Sequence, residues 1–191
     1  MEPDQYLAKM VDWQFFATLT FAAKIPTESN RNKMFHAWAS WLDQLEKAKG
    51  SNRHTRRPSP HHAFYWMLRE ELGEIGGRLH YHVLIGGLSK NLVNTRTAMA
   101  SCAKWEKLHG GMARNYVYDS HLDGVGYVLK GLDQQAIASK IGAIDYEMGK
   151  FVGAEGRRVL LGHSLTWKLL NRTSNKRLVK ARVMRALNRG S

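Results

Sequence analysis

Two short β-prone runs joined by a glycine-rich turn constrain this chain most. Ala63–Glu71 (Ala-Phe-Tyr-Trp-Met-Leu-Arg-Glu-Glu) is rich in aromatic and aliphatic residues, and so is Leu79–Ile85 (Leu-His-Tyr-His-Val-Leu-Ile). Between them lies Gly73-Glu74-Ile75-Gly76-Gly77, and Gly86-Gly87 closes the second run. The pattern predicts an antiparallel hairpin. Successive strand side chains alternate between faces, so His80 and His82 share one face. The return of the hairpin brings Glu70 and Glu71 back alongside them. Residues opposite each other across a pair share a face, so one of the two acids should look towards the histidines. Glu71 is the expected one; Glu70 and Glu74 stay open, because the turn register is not fixed by sequence. Two imidazoles and a carboxylate, with coordination positions left free, suit a divalent ion that must also meet a substrate. Such a mixed N/O set accepts Mg²⁺ or Mn²⁺, and would also take Zn²⁺, Co²⁺ or Ni²⁺ in vitro.

The flanking sequence extends the sheet. Trp13–Phe21 reads as a strand with Phe15, Ala17, Leu19 and Phe21 on one face and Gln14, Phe16, Thr18 and Thr20 on the other. The two threonines could meet a ligand or simply a neighbouring strand. Pro26-Thr27-Glu28-Ser29 opens a helix that runs to about Lys49, with Met34, Trp38, Trp41, Leu42 and Leu45 as its expected buried stripe. Core packing is the preferred role for the two tryptophans over base stacking. Asn94-Thr95 caps a second helix, about Arg96–Leu108, whose expected core positions are Met99, Cys102, Ala103 and Trp105–Leu108; Gly110-Gly111 ends it. Met112–Asp119 is a further strand. A short helix follows from about Leu122 to Lys130, ended by Gly131, with Val125, Val128 and Leu129 inward. Tyr127 and Lys130 stand three apart on that helix, hence on one face. A phenol beside a cation suits attack on phosphorus, the cation offsetting phosphate charge.

With 191 residues the chain can bury a substantial core, and its net charge of +13 suggests an anionic partner, most simply nucleic acid. Arg53, Arg56 and Arg57 concentrate charge in a loop at 50–60. After Glu155 there is no acidic residue, while Lys176, Arg177 and Lys180 stand among many other cations there. Arg157–Leu161 reads as a short strand and the rest of this tail as helices, either packed with solvated basic faces or binding duplex DNA. Cys102 is the only cysteine, which excludes an intrachain disulfide and fits a reducing compartment. Met1–Met10 carries Glu2 and Asp4 without an apolar stretch, so no signal peptide is expected; no apolar run is long enough to span a bilayer, and no P-loop occurs.

Taken together, these residues resemble the rolling-circle replication initiators (Rep proteins) of the HUH endonuclease superfamily. Phe15–Phe21 resembles the first motif of that family, a Phe-x-Thr-Leu-Thr strand; Leu79-His80-Tyr81-His82-Val83 resembles the His-hydrophobic-His second; Gly126-Tyr127-Val128-Leu129-Lys130 resembles the Tyr-x-x-Lys third. The likeness spans about Trp13 to Gly131. One tyrosine in the third motif resembles the single-tyrosine class rather than the paired-tyrosine phage type. No third histidine stands near the second motif, unlike a relaxase, and Lys130 stands where related transposases usually carry glutamine, although Gln134 follows.

The resemblance implies an α+β fold, a central antiparallel sheet flanked by helices in a ferredoxin/RRM-like arrangement. It implies a catalytic domain at 1–150 and a basic, helical C-terminal extension at 151–191. The implied activity is site-specific nicking and rejoining of single-stranded DNA at a replication origin. Tyr127 would be the nucleophile and Lys130 its catalytic partner. Glu71, His80 and His82 would hold Mg²⁺ or Mn²⁺, and Arg53, Arg56, Arg57, Arg78, Lys176, Arg177 and Lys180 would bind DNA. Expected partners are single-stranded and origin duplex DNA, a host helicase and the replication machinery of a plasmid or phage, in the cytoplasm, with no membrane and with the oligomeric state open. The alternatives are an HUH transposase and a non-catalytic single-strand binder, for which aromatic sheets and basic tails are also typical; metal-dependent nicking separates the last from the others.

Overall fold

The structure, a computed structural model, describes residues 11–48, 64–73, 76–130, 150–152 and 158–161. Its strands are β1 (Trp13–Phe21), β2 (Tyr65–Leu72), β3 (Leu79–Gly86), β4 (Gly110–Val117), β5 (Lys150–Val152) and β6 (Arg158–Leu161), and its helices are α1 (Glu28–Ala48), α2 (Thr95–Lys107) and α3 (Gly124–Leu129). The strands form one sheet in the order β4-β1-β3-β2-β6-β5, with every neighbouring pair antiparallel. The chain is therefore α+β, an antiparallel sheet with helices on its faces.

Alternation along the strands divides the apolar residues between two layers. Phe15, Ala17, Leu19 and Phe21 of β1 join Tyr81, Val83 and Ile85 of β3 beneath α1 and α2, where Phe35, Trp38, Leu42 and Trp105 complete the larger core. On the opposite face Met67 of β2, Leu84 of β3 and Val159 of β6 pack against Val125, Val128 and Leu129 of α3. Beside the six-residue α3 on this face Glu71 and His80 are partly exposed and His82 is buried.

Trp38 and Leu42 of α1 and Trp105 of α2 are buried as expected, while the rest of each stripe differs. In α1 the buried residues are Phe35, Trp38, Ala39, Leu42 and Glu46, with Met34 and Trp41 only partly covered. Glu46 can turn inward because it accepts hydrogen bonds from the Ser89 amide, at 2.9 Å, and from the Ser89 hydroxyl. In α2 the buried residues are Thr97, Ala98, Ser101 and Trp105, whereas Met99, expected inside, is 68% exposed and Ala103 is also exposed. Ser101 belongs inside because its carbonyl accepts from Trp38 Nε1 at 2.9 Å and its hydroxyl from Asn115 Nδ2 at 2.8 Å. A fully partnered polar position displaces an apolar one from the core. Trp38 is wholly buried, a core tryptophan as its helical spacing predicted.

The strands lie within a residue or two of their expected bounds. β4 starts at Gly110, which needs no side chain because a Cβ there would collide with the Trp105 indole. Gln14 departs from simple alternation: a register irregularity lies between Trp13 and Phe15, and the Gln14 amide bonds both the N–H and the carbonyl of Leu88. β6 matches the short strand expected at Arg157–Leu161, and it pairs with β2. The sheet accordingly continues past residue 150, where the sequence suggested a domain boundary. The loop at 50–60 and the tail beyond Leu161 lie outside the described residues. Among the described residues no helix is long and apolar enough to cross a membrane.

Candidate metal centre and active site

The hairpin register decides between the two adjacent acids. Glu71 pairs with His80, Glu70 with Tyr81 and Arg69 with His82. Glu71, His80 and His82 therefore share the face that α3 partly covers. Glu70 points into the larger core, where its Oε1 accepts from Arg31 Nε of α1 at 2.9 Å and from the Tyr81 hydroxyl at 3.3 Å. Glu74 lies outside the described residues. The turn that sets this register closes through Gly76 and Gly77, at φ 81° and 59°, backbone conformations that favour glycine.

Glu71, His80 and His82 form the one group of three potential metal ligands among the described residues, their donor atoms all within 4.8 Å of one another. Glu71 Oε2 stands 3.2 Å from His82 Nε2 and 3.7 Å from His80 Nε2. The far nitrogens are also engaged. His80 Nδ1 lies 3.3 Å from the Arg78 carbonyl, and His82 Nδ1 lies 3.2 Å from Thr18 Oγ1. A carbonyl can only accept, so that contact assigns the proton of a neutral His80 ring to Nδ1 and leaves a lone pair on Nε2. Thr18 does the same for His82 in the tautomer where Nδ1–H donates to the hydroxyl. Burial is the main reason that the His82 imidazole is held at about 4, the neighbouring His80 adding to it and Glu71 opposing it, so the ring is neutral at pH 7. In those tautomers two imidazole lone pairs converge on a carboxylate oxygen. Facing acceptors repel unless a cation stands between them, and outer partners that fix ring orientation are usual for metal-bound histidines. On that chemistry the donor set fits a divalent ion.

Tyr127 reaches the same point from the opposite layer. Its hydroxyl lies 3.2 Å from Glu71 Oε2 and 3.4 Å from His82 Nε2. The ring meets His82 edge-on at a centroid distance of 4.9 Å and Phe16 at 6.1 Å. Phe16 in turn stacks on His82 at 5.8 Å. The short helix is positioned at both ends. Asp123, at φ 45°, caps it by accepting from the Gly126 amide at 3.1 Å. Gly124 lets the first turn lie close to the sheet, since a Cβ there would press on the Tyr118 and Phe16 rings. At the far end Arg69 Nη1 donates to the carbonyls of Tyr127, Val128 and Lys130. Tyr127 remains 40% exposed, so a substrate can approach its hydroxyl.

Lys130 ends α3 as its C-cap, in an extended conformation with its side chain exposed. Its amide donates to the Tyr127 carbonyl at 3.2 Å, closing the turn that carries the phenol. The Arg78 guanidinium donates to the carbonyls of Phe21 and Ala22 at 2.7 and 2.8 Å, which ties the start of β3 to the end of β1. Arg53, Arg56, Arg57, Lys176, Arg177 and Lys180 lie outside the described residues.

Three contributors escaped the sequence reading or were only touched by it. Phe16 appeared there as a strand residue and Thr18 as one that could meet a ligand or a neighbour; the structure sets both against His82. Arg69 had a signal that went unused: a cation two residues before the metal-facing acid, in a strand otherwise apolar up to that point. Comparisons with protein-family models, with curated proteins and with solved structures found no match.

Proposed function

We propose that the protein is a metal-dependent, tyrosine-using DNA nicking and joining endonuclease of the HUH type, acting at a replication origin to start rolling-circle replication. The observation that carries this reading is the meeting of the Tyr127 hydroxyl with Glu71 and His82, at 3.2 and 3.4 Å, from an independent element on the site face of the sheet. A structural carboxylate–histidine pair has no need of a half-exposed phenol at its centre. The order of the strand, His-x-His and Tyr-x-x-Lys segments supports the same reading.

In this mechanism Glu71, His80 and His82 hold Mg²⁺ or Mn²⁺, which when bound polarises the scissile phosphate and offsets the negative charge that develops on it. Tyr127 Oη attacks the phosphorus. A new P–O bond forms to the phenol, the bond from phosphorus to the upstream 3′ oxygen breaks, and the strand carries away a free 3′-OH able to prime synthesis. An unperturbed phenol has a pKa near ~10, so it needs an acceptor for its proton; Glu71 Oε2, 3.2 Å away, is the nearest one described. The exposed Lys130 supplies positive charge beside the phosphate, and a proton for the leaving oxygen. The phosphotyrosine bond keeps the energy of the broken linkage, so a 3′-OH can reverse the step and rejoin strands. The basic loop at 50–60 and the basic tail guide single-stranded and duplex origin DNA, and strand opening falls to a host helicase.

Incubation with random-sequence single-stranded DNA and Mn²⁺ tests this directly. A denaturing gel should show protein covalently joined to a cleaved strand, and the adduct should vanish in Tyr127→Phe. Absence of an adduct from the parent protein with either Mn²⁺ or Mg²⁺, on single-stranded, hairpin and supercoiled DNA alike, would sink the proposal.

A further inference from the structure

Arg69 is 3% exposed, on the site face of β2 and opposite His82 in the register. Its guanidinium makes two connections. Nη1 donates to three carbonyls at the end of α3, those of Tyr127 at 3.2 Å, Val128 at 3.4 Å and Lys130 at 2.5 Å. Nη2 faces Glu71 Oε1 at 3.8 Å, which leaves Oε2 to the histidines and Tyr127. Its Nε, also buried, has no hydrogen-bond partner among the described residues. A buried N–H left unbonded is costly, and the stability of α3 does not demand it. Val125, Val128 and Leu129 already anchor that helix to the sheet. Val128 and Leu129 hold the last turn from its apolar side, and Arg69 adds the polar link at the carbonyl end of the same turn, the one that carries the phenol.

We infer that Arg69 is a positioning residue that couples the metal ligand Glu71 to the backbone of the nucleophile Tyr127, setting how far the phenol oxygen stands from the carboxylate. The inference rests on the endonuclease reading. A planar guanidinium presents one nitrogen to the helix end and another to the carboxylate, whereas an ammonium has one nitrogen for both tasks. Displacing a reacting group by about 1 Å can cost about 100-fold in rate, so the loss of this link should fall on the chemical step.

The test compares the parent, Arg69→Lys and Arg69→Gln, with Val128→Ala as a variant that loosens the same helix through its apolar contact alone. At saturating Mn²⁺ and DNA, Arg69→Lys should form the covalent adduct about 100-fold more slowly with its affinity for DNA unchanged. Mn²⁺ binding without DNA should weaken about 10-fold, the scale of an outer partner of a metal ligand. Hydrogen exchange of 124–130 should quicken in the metal-free protein. For the same loss of thermal stability, Val128→Ala should lose much less rate. Equal loss in the two variants, or unchanged exchange and rate in Arg69→Lys, would overturn the inference. Failure of both Arg69 variants to fold would overturn it too, because it would make the residue structural. Should the parent itself form no adduct, the endonuclease reading fails, while the Mn²⁺ and exchange arms still decide whether Arg69 links Glu71 to the tyrosine helix.

Discussion

The two faces of the sheet are built from the same strands and obey different rules. On β3, Tyr81, Val83 and Ile85 enter a core beneath two long helices, while the half-buried His80 and the buried His82 enter the layer that holds the six residues of α3. On the helix-covered face most polar groups are paired, Arg31 with Glu70, Trp38 with Ser101 and Glu46 with Ser89, while Asn115 Oδ1 has no partner among the described residues. On the site face they converge instead, with Glu71, His80, His82 and Tyr127 all directed to one point. A polar residue inside the first layer is there because it has found a partner. In the second layer several acceptors share too few donors, which is the condition under which a cation or a substrate is bound.

Two adjacent carboxylates test this contrast most sharply. Glu71→Gln removes a proposed metal ligand and should weaken Mn²⁺ binding by more than the roughly 10- to 100-fold that outer partners alone cost, with the fold intact. Glu70→Gln should do the reverse. It leaves Arg31, 12% exposed, without its carboxylate and should destabilise the protein by about 3 kcal/mol, with Mn²⁺ affinity kept. Titration calorimetry and chemical denaturation read the two quantities separately. If both variants lost metal affinity alike, the division of the faces would be wrong.

Acid should act on the site face through His82. Its pKa of about 4 in the folded protein lies below the ordinary 6.5, because burial disfavours the charged ring. The unfolded chain therefore binds the proton more readily. The stability contributed by a neutral His82 is complete above about pH 6.5 and is lost progressively as pH falls towards 4. Denaturation of the metal-free protein across that window should show a fall in stability that is smaller in His82→Asn. A parent and variant with the same pH dependence would remove burial of this ring from the account.

Much of this arrangement is legible in the residues themselves. Alternation in Trp13–Phe21 gives that strand and its inward face, since burial on one side imposes period two, whereas Leu79–Ile85 is legible as a strand from its composition and is buried along nearly its whole length. The hairpin is legible from its glycines, but whether Glu70 or Glu71 meets the histidines depends on one residue of register. Helix phase was less readable. Met99 looks like a core residue and Ser101 a surface one, yet their positions are exchanged because Ser101 serves Trp38 and Asn115 across three elements. Tyr127 was readable only through its spacing from Lys130, which stands at the C-cap of the same short helix. Arg69 illustrates the general limit: its value lies in meeting carbonyls about sixty residues away, and no local pattern carries such information.

The smallest expected effect comes from Thr18, where the two faces meet in one strand. Its neighbours Ala17 and Leu19 are sealed in the core, while its own hydroxyl lies 3.2 Å from His82 Nδ1. Thr18→Val keeps the shape and β-propensity of the side chain, so the sealed face should not register the change. In the tautomer where the hydroxyl accepts, what disappears is the group that holds the His82 proton on Nδ1 and the lone pair on Nε2. A neutral ring then divides its tautomers, and the fraction with Nε2 protonated cannot bind a metal until the proton moves. Mn²⁺ affinity should fall about 10-fold, at the low end for outer partners of metal-bound histidines, with the midpoint of denaturation nearly unchanged. NMR of ring-labelled histidine in the metal-free variant should show Nε2–H gaining population at His82 and not at His80, whose partner is the Arg78 carbonyl. If Thr18→Val changed stability and left metal affinity alone, the hydroxyl would belong to the sealed layer's economy of closed pairs, and the boundary between the two faces would have to be moved by one residue.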